Sequence, residues 1–326
     1  MSNNTEALKE RQKQAQRQAM PLEDKVTMTK RRIRDFYDHF DGEVYCSFSG
    51  GKDSTVLRHI VKSMGLNIPF VFSNTGLEMP EIVDFVRKLA SEDKNIVQVR
   101  PKVTFNKVWQ DYGLPIGSKK VAKMIRVLQE GDTGRNSNMH RLYDTGYNSN
   151  GQFGKSWKIP EKWRVFVNDE APRITDLCCD FLKKEPLDTY AKESGRHGIS
   201  AIMADEGGQR ESRTQCNMYD GKRPNSAPML FWLESDVWEY IKLNSVEICE
   251  VYFDREVNGR HVPAEKRTGC MFCGFGAHME KGMNRFQRMA ITHPRQHSIV
   301  IDRMGMGKAL DLINVKYIPE DEDKQQ

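Results

Sequence analysis

The segment EVYCSFSGGKDSTVLRHIVKSM at residues 43–64 joins a short apolar run to a glycine pair and then to an amphipathic run. Residues 43–49 are rich in β-forming side chains and stop at Gly50-Gly51, which predicts a strand followed by a turn. Residues 54–64 have helical spacing. The segment therefore predicts a strand, a glycine-rich loop and a helix in immediate succession.

The loop at residues 49–54, Ser-Gly-Gly-Lys-Asp-Ser, has the composition of a phosphate-binding loop. Glycines allow backbone N–H groups to approach anionic oxygens, and a helix N-terminus adds unpaired donors and a positive dipole end. Lys52 adds a full charge, and the two serines add hydroxyl donors. The common P-loop would need glycine at Cys46 and serine or threonine at Asp53, so this is a different cradle. An ordinary tight turn is the alternative.

Further strands and helices alternate on both sides of this loop. The sequence predicts a helix over 22–40, strands over 68–74 and 95–101 with a helix over 80–90 between them, and a later helix over 176–193. A strand is also expected over 199–203. This alternation implies βαβ crossovers, and therefore an α/β fold with a parallel sheet.

The composition indicates a globular chain without a membrane span. Of 326 residues, 38% are hydrophobic and 29% charged, with a net charge of +5, which is compatible with a polyanionic partner. No apolar stretch is long enough to cross a bilayer, and the N-terminus has no hydrophobic signal region, so we expect a cytoplasmic protein. Cysteines are reduced in that compartment, which favours metal or redox chemistry over disulfides.

Composition shifts along the chain suggest its organisation. The alternating pattern stops at residue 113, and residues 113–175 hold eleven Lys/Arg against six Asp/Glu, a net charge of +5. We predict an N-terminal helical arm (1–40), a nucleotide-binding α/β domain (41–245) carrying 113–175 as a basic insertion, and a C-terminal helical, cysteine-containing region (246–317). A disordered acidic tail (318–326) follows.

Four of the seven cysteines form two pairs, Cys178-Cys179 and Cys270-x-x-Cys273. Thiolates are preferred ligands of both iron–sulfur clusters and zinc. Zinc usually takes two spaced pairs, and adjacent side chains diverge in most backbone conformations. The residues alone leave three interpretations open: a [4Fe–4S] cluster, a zinc site or buried thiols. Cys46, Cys216 and Cys249 stand alone, and packing roles are expected for them.

These motifs together resemble the phosphoadenosine phosphosulfate (PAPS) reductase family of the PP-loop (adenine nucleotide alpha hydrolase-like) superfamily, over about residues 40–112 and 176–280. The superfamily motif Ser-Gly-Gly-Lys-Asp-Ser matches 49–54, and Ser73 to Gly76 resembles its Asp-Thr-Gly segment with Asn74 in place of the acid. LCCDFLKKEPLDTY (177–190) and GGQRESRT (207–214) resemble the family's paired-cysteine segment and its arginine-rich loop.

The resemblance implies roles for particular residues. Cys178, Cys179, Cys270 and Cys273 would ligate a [4Fe–4S] cluster, while Lys52, Asp53, Arg210 and Arg213 would act on the phosphate or sulfate end of the ligand. ATP, or an adenylated sulfonucleotide, would be bound together with Mg²⁺ by these residues: Ser47, Ser49, Gly50, Gly51, Lys52, Asp53, Ser54, Asn74, Thr75 and Gly76.

One departure from the family bears on the reaction. Sulfonucleotide reductases use a nucleophilic cysteine in a C-terminal Glu-Cys-Gly-(Leu/Ile)-His segment, and no cysteine follows Cys273 here. We therefore expect ATP-dependent sulfur transfer to nucleic acid, of the DNA phosphorothioation or tRNA thiolation type, with a sulfur donor such as a cysteine desulfurase. The alternatives are a PAPS or adenylyl-sulfate reductase, and a non-catalytic nucleotide- and cluster-binding sensor subunit.

The basic insertion would bind the nucleic acid in the first of these functions. Aromatic rings stack on unpaired bases and lysines contact phosphates. The candidates in residues 113–175 are Tyr147, Trp157, Trp163, Lys119, Lys120, Lys123, Lys155 and Lys158. The alternative is a solvated basic segment with two partly buried tryptophans.

Overall fold

The computed structural model describes residues 2–207, 210 and 213–320, and the side chains from residue 10 onward. The chain forms two compact units, each built from separate parts of the sequence. The first unit comprises residues 1–74, 80–100 and 185–252, and the second comprises 75–79, 101–184 and 253–326. Residues 321–326 of the expected acidic tail lie outside the described residues. No helix in the described residues is both long and apolar enough to cross a membrane.

The first unit is a six-stranded sheet with helices, which confirms the predicted α/β class and the mostly parallel sheet. Its strands are β1 (Val44–Phe48), β2 (Phe70–Ser73), β3 (Ile96–Val99), β5 (His197–Ile199), β6 (Asn217–Met218) and β7 (Asn225–Ser226). The order is β3-β2-β1-β5-β7-β6, and only β6 runs antiparallel to its neighbour. Its helices are α1 (Ser2–Gln18), α2 (Leu22–His39), α3 (Lys52–Ser63), α4 (Pro80–Glu92), α8 (Glu185–Ser194) and α9 (Glu234–Leu243).

The strand order reverses at β1. Strands β2 and β3 lie on one side of β1, and β5 lies on the other. In open α/β sheets, ligands bind beyond the carboxyl ends of the strands at such a reversal. The loop at residues 49–54 leaves the carboxyl end of β1, so the fold places it at the expected ligand position.

Helices α3 and α4, which lie nearest this loop, are stabilised by burying one apolar face each. In α3 the apolar side chains Val56, Leu57, Ile60 and Val61 recur at helical spacing and are buried. Helix α4 begins with Pro80, whose missing N–H costs nothing at a first helical position, and it buries Ile82, Phe85, Val86 and Leu89. The predicted helix over 80–90 is therefore confirmed.

The N-terminal helix α2 joins the first unit through a buried ion pair. Lys25, which is 1% exposed, places Nζ 2.6 Å from Oδ2 of Asp236 near the start of α9. The same Oδ2 accepts from the backbone N–H of Leu233 at 2.6 Å. The indole N–H of Trp232 donates to the Thr29 hydroxyl at 2.9 Å. These bonds satisfy polar groups that burial would otherwise leave unpaired.

The second unit is mainly helical around one apolar core. Its helices are α5 (Phe105–Tyr112), α6 (Lys119–Gln129), α7 (Ser137–Thr145), α10 (Arg285–Thr292), α11 (Pro294–Ser298) and α12 (Met306–Asp311). Strand β4 (Ile116–Gly117) pairs in parallel with β10 (Gly274–Phe275), and β8 (Arg255–Val257) pairs antiparallel with β9 (Arg260–Val262). Ser118 caps α6 by accepting from the N–H of Val121, so the 113–175 insertion contains regular helices.

Two sequence predictions differ from the observed elements. A strand was expected over 199–203, but the observed strand β5 ends at Ile199. Residues His197 to Ile199 are the ones that pair with Val44 to Cys46 of β1, so the strand lies earlier in the chain than expected. The helix expected over 176–193 is not one regular helix. A π-helical turn at Asp180–Lys184 separates the helical residues 178–179 from α8.

Candidate functional site

The loop after β1 has the backbone geometry of an anion cradle. Gly50 has a φ of +71°, and Gly51 is the N-cap of α3. The N–H of Gly51 donates to Ser49 Oγ at 3.2 Å, and the N–H of Ser49 donates to Ser54 Oγ at the same distance. Ser54 Oγ donates to the carbonyl of Gly51 at 2.9 Å. The hydroxyls of Ser49 and Ser54 therefore pre-shape the turn.

Lys52 is the charged centre of this loop. It is only 3% exposed, and its Nζ lies 3.5 Å from Asp53 Oδ1 and 3.2 Å from Glu234 Oε1. Its backbone N–H donates to the hydroxyl of Tyr252 at 3.1 Å, and its Nζ lies 5.5 Å from the centre of the Tyr252 ring. An anionic ligand that binds Lys52 competes with the half-exposed Glu234 carboxylate.

Glu234 and Tyr252 were not predicted from the sequence. They lie about 180 and 200 positions beyond Lys52 in the chain, and neither belongs to a recognisable motif. Only the fold brings them to the loop. A carboxylate and a phenol at a phosphate loop suggest that the cradle is held in shape before the ligand arrives.

Gly50 is a position where the loop tolerates no side chain. A Cβ there would lie 2.7 Å from Val86 Cγ2 and 3.0 Å from Ile82 Cγ2, at a φ of +71°. Both methyl groups belong to β-branched side chains that are stiff at χ1. We expect Gly50→Ala to lower the free energy of unfolding by about 2–5 kcal/mol, combining left-handed strain with overpacking. Urea unfolding measures this loss.

Gly65→Ala is the matched control for that change. Gly65 has a φ of +66°, yet a Cβ there meets nothing within 4 Å. Its substitution should cost only the backbone strain of about 1–2 kcal/mol. Equal losses for the two variants would show that the packing against α4 does not constrain the loop.

The other predicted nucleotide-binding residues of the first unit lie at strand ends. Ser47 is in β1, paired in register with Val71 of β2. Asn74 follows β2, and its backbone N–H donates to the carbonyl of Val99 at 2.9 Å. Both residues are partly exposed. The carboxyl ends of β1 and β2 therefore present polar groups at one edge of the sheet.

The two predicted arginines have different surroundings. Arg213 donates from Nε to the carbonyl of Gln215 at 2.9 Å and from Nη2 to that of Cys216 at 2.8 Å. Burial lowers the pKa of its guanidinium. Arg210 is exposed and forms an ion pair with Glu206. Residues 208–209 and 211–212 of the arginine-rich segment lie outside the described residues.

The fold gathers the four paired cysteines into one group in the second unit. The Cys178 thiol hydrogen-bonds to Cys179 and lies within electrostatic range of Cys270 and Cys273. The Cys-x-x-Cys loop closes through a bond from the N–H of Cys273 to the carbonyl of Cys270 at 3.0 Å. We call this set the thiol group. Thiols from segments 91 positions apart in the sequence therefore lie within electrostatic range of one another.

Thr75 and Glu78 support the thiol group from the segment after β2. The Thr75 hydroxyl lies 3.8 Å from Cys270 Sγ and 2.9 Å from Glu78 Oε1. The backbone N–H of Thr75 also donates to Glu78 Oε2 at 2.9 Å. Next to them, the N–H of Met271 donates to the carbonyl of Leu77 at 2.7 Å. Thr75, predicted as a nucleotide ligand, thus contacts a cysteine, and Gly76 beside it is exposed.

Cationic side chains surround the thiol group. Burial alone would lower the pKa of Lys183, but Cys270, Glu78, Cys179 and Cys273 raise it. The hydrogen bond that Cys178 donates lowers the pKa of Cys179 and raises that of Cys178, and Lys119 and Lys183 further lower the pKa of Cys179. These positive charges favour the thiolate form that metal ligation requires.

The Cys273 side of the group also has stabilising donors. Burial raises the pKa of Cys273 to about 11, while the Arg285 charge and a hydrogen bond from the backbone of Phe275 oppose that shift. Arg285 Nη1 donates to the carbonyl of Cys273 at 3.1 Å, and its Nε donates to Glu280 Oε1 at 2.6 Å. Glu280 therefore has a structural role that the sequence did not reveal.

A buried ion pair fixes the helix that carries Arg285. Arg288 donates to both oxygens of Glu265, each at 2.7 Å, and the two residues are 8% and 5% exposed. Arg288 also donates to Glu280 at 3.1 Å. Bidentate arginine–carboxylate geometry is directional, so it holds α10 beside the Cys-x-x-Cys loop.

The donor set fits an iron–sulfur cluster. Four thiols, a hydroxyl near Cys270, a backbone N–H to Cys273 and nearby ammonium and guanidinium groups are the features that hold and tune such clusters. Within the described residues, no three His, Cys, Asp or Glu side chains have the arrangement of a single metal-ion site.

The three remaining cysteines are buried, as the sequence predicted. Cys46, Cys216 and Cys249 are 2%, 6% and 2% exposed. Burial raises the pKa of both Cys46 and Cys216. A buried thiol with a raised pKa is a poor nucleophile.

The basic insertion differs from the prediction at one aromatic residue. Trp163 is 2% exposed, stacks near Phe166 and contacts His278 edge to face, so the hypothesis that it stacks on bases is wrong. Trp163 packs into the core of the second unit, where Gly117, which has no side chain, leaves room for the indole ring. Tyr147 is 48% exposed. Lys119 is paired with Asp180 at 3.0 Å.

Comparisons with known proteins identify the family of the chain. The family model described as "Phosphoadenosine phosphosulfate reductase domain" matches residues 43–132 and 155–274. An uncharacterized protein of Methanocaldococcus jannaschii is 25% identical over 248 residues, which are 74% of this chain and 44% of that protein. This chain therefore spans less than half the length of that relative.

A solved structure also resembles this chain. The crystal structure of the phosphoadenylyl-sulfate (PAPS) reductase of Candida auris, in complex with phosphate, is 16% identical. The alignment covers 68% of this chain and 82% of that one, with a TM-score of 0.41. The family model spans the phosphate loop and all four paired cysteines. The chain belongs to the phosphoadenosine phosphosulfate reductase domain family.

Proposed function

We propose that this protein binds ATP and a [4Fe–4S] cluster and catalyses ATP-dependent sulfur transfer to nucleic acid. An acceptor oxygen attacks the α-phosphorus of ATP, and pyrophosphate leaves. The adenylated oxygen then departs with AMP as a sulfur nucleophile takes its place. The sulfur arrives as the terminal sulfur of a persulfide from a donor such as a cysteine desulfurase, and a thiol reductant then cleaves the resulting S–S bond, which releases the sulfur-containing product and leaves a disulfide.

The observation that carries this proposal is the thiol group and its cationic surroundings. Four cysteines from two distant segments meet near Lys183, Lys119 and Arg285, in a chain that also has a phosphate loop after β1. A purely structural cluster of thiols needs no cations. When bound, the cluster would supply the sulfur-handling chemistry of the exchange.

The first unit supplies the nucleotide chemistry in this proposal. Lys52 and the N–H groups at the start of α3 bind the pyrophosphate portion, and Glu234 moves away from Lys52. The released Glu234 and Asp53 carboxylates are suited to an Mg²⁺ ion carried by the nucleotide, because Mg²⁺ prefers oxygen ligands. Arg210, which is exposed, would exchange Glu206 for the phosphate of the acceptor or nucleotide.

A sulfonucleotide reductase is the second candidate, supported by the family membership. Such a reductase requires a thiolate nucleophile outside the cluster. The cysteines of this chain outside the thiol group are buried in the structure. This observation favours sulfur transfer.

One assay separates these activities. The anaerobically purified holoprotein is incubated with ATP, Mg²⁺ and an oligonucleotide, and pyrophosphate release is measured. The same preparation is incubated with PAPS and a thiol, and sulfite is measured. We expect pyrophosphate release that depends on ATP, and no sulfite.

Each alternative outcome identifies another function. Sulfite formation would replace the proposal with a reductase. ATP that raises the melting temperature without any turnover would indicate a nucleotide sensor, since ligand binding stabilises the native state whether or not a reaction follows. Absence of both binding and turnover would refute the nucleotide site itself.

A further inference from the structure

The basic insertion projects a small aromatic hairpin, which we define as residues 146–158. Tyr147 and Phe153 form an antiparallel bridge across it, and their ring centres are 5.2 Å apart. The rings are 48% and 56% exposed. Phe153 was not among the residues predicted from sequence. Two adjacent exposed rings therefore lie at one place on the second unit.

Backbone hydrogen bonds hold these rings in place. The N–H of Gly154 donates to the carbonyl of Gly146 at 2.9 Å, and the N–H of Asn148 donates to that of Gln152 at 3.0 Å. The Asn148 side chain accepts from the N–H of Gln152 at 2.9 Å. An ordered platform of this kind loses little conformational entropy on binding.

The hairpin is anchored to α7 by a basic residue. Arg141 Nη2 donates to the carbonyl of Asn148 at 2.9 Å. The Arg141 side chain is exposed. The anchor thus also brings positive charge to the rings.

The charge around the rings is positive. Residues 137–158 contain Arg141, Lys155 and Lys158 against one acid, Asp144, a net charge of +2. Arg164 pairs with that acid at 2.9 Å, so its negative charge is offset. The turn between the rings, residues 148–152, is small, polar and uncharged. A phosphate backbone complements this surface better than an apolar protein face does.

We propose that the aromatic hairpin binds single-stranded nucleic acid by stacking unpaired bases on Tyr147 and Phe153, with Lys155 and Lys158 on the phosphates. Every base has a π-face, so such a platform binds without strong sequence preference. The inference rests on the proposed function and deepens it, because it assigns the surface that holds the nucleic-acid acceptor.

The test measures fluorescence anisotropy of a labelled single-stranded oligonucleotide with the full-length holoprotein. One variant removes both rings, Tyr147→Ala with Phe153→Ala. Because stacking on one ring strengthens binding by roughly 5- to 150-fold, we expect the double variant to bind at least about tenfold more weakly. Phe253→Ala, which removes another exposed ring of the same unit, should bind like the unmodified protein.

A second variant isolates the charges. Lys155→Ala with Lys158→Ala should lower the slope of log affinity against log salt by about 0.7 for each phosphate that the variant no longer neutralises. The ring variant should keep the original slope. Unchanged binding after ring removal, equal effects of Phe253→Ala, or equal binding of duplex and single strand would overturn the inference. So would a protein partner, or a second copy of the chain, that binds through the rings when no oligonucleotide does.

This experiment fails separately from the proposed function. Oligonucleotide binding is measured without ATP, and calorimetric binding of pyrophosphate without oligonucleotide reports on the nucleotide site. Ring-dependent binding without any pyrophosphate release would support the hairpin and refute sulfur transfer. Pyrophosphate release together with oligonucleotide binding that does not depend on the rings would support the proposed function and refute the role of the hairpin. Equal melting temperatures of the variants would show that the exposed rings do not stabilise the fold.

Discussion

Lys52→Ala is expected to weaken ATP and pyrophosphate binding by about 10- to 150-fold, because a hydrogen bond between charged groups contributes about 1.5–3 kcal/mol. Lys52 Nζ is buried between Asp53 and Glu234 and is positioned at the start of α3, where the helix dipole already favours anions. Isothermal titration calorimetry with pyrophosphate measures the change directly. Release of pyrophosphate from ATP should fall in parallel.

Lys62→Ala is the matched control, because Lys62 lies on the same helix but pairs with Asp93 at 2.8 Å, away from the loop. The Lys62→Ala variant should bind pyrophosphate with the same affinity as the unmodified protein. The Lys52 variant leaves two carboxylates without their cation, so a combined Lys52→Ala and Glu234→Gln variant restores a folded reference. If that folded variant still binds pyrophosphate with unchanged affinity, the loop is not the phosphate site.

The glycine loop was predictable because all of its determinants are local. The strand, the two glycines, the lysine and the helix follow one another within residues 43–64, and each contributes through its own backbone or charge. Glu234 and Tyr252 were not predictable in this way. Their contacts with Lys52 depend on how α9 and the chain after it pack in the first unit.

The thiol group was half predictable. The family resemblance implied that the two cysteine pairs share a site, and the structure brings the four thiols within electrostatic range of one another. Lys183 follows Cys179 by four positions, a spacing that places side chains on one helical face, and it could have been identified. The contacts of Thr75 and Glu78 with the thiol group could not have been predicted. Their segment resembled a nucleotide-binding motif, and only the fold brings Thr75 close to Cys270.

The aromatic residues of the insertion show where sequence reasoning fails. Tryptophan and phenylalanine occur both in cores and on binding surfaces. The sequence of 113–175 has no clear hydrophobic periodicity that would distinguish buried positions from exposed ones. Trp163 fills the space above Gly117, while Phe153 is carried outward by a two-residue bridge. Whether such a ring is buried depends on which segments the fold packs against it, and those segments are distant in the sequence.

Cys270→Ala is expected to abolish cluster binding. The holoprotein should contain about four iron atoms per chain after anaerobic purification, as a [4Fe–4S] cluster requires. Loss of an outer-shell partner alone typically costs 10- to 100-fold in metal affinity, so loss of a ligand should cost at least about 100-fold. Iron and sulfide analysis, together with visible absorbance, measures the result.

Cys249→Ala is the control that separates ligation from general thiol loss. Cys249 is 2% exposed and lies in the first unit, whereas Cys270 lies beside Thr75 in the second. The iron content of the Cys249→Ala variant should equal that of the unmodified protein. Iron that persists in the Cys270 variant, or about one zinc per chain in place of iron in the unmodified protein, would contradict the cluster. Because neither measurement uses ATP, the result is independent of the phosphate loop, and the two halves of the proposed function can each fail alone.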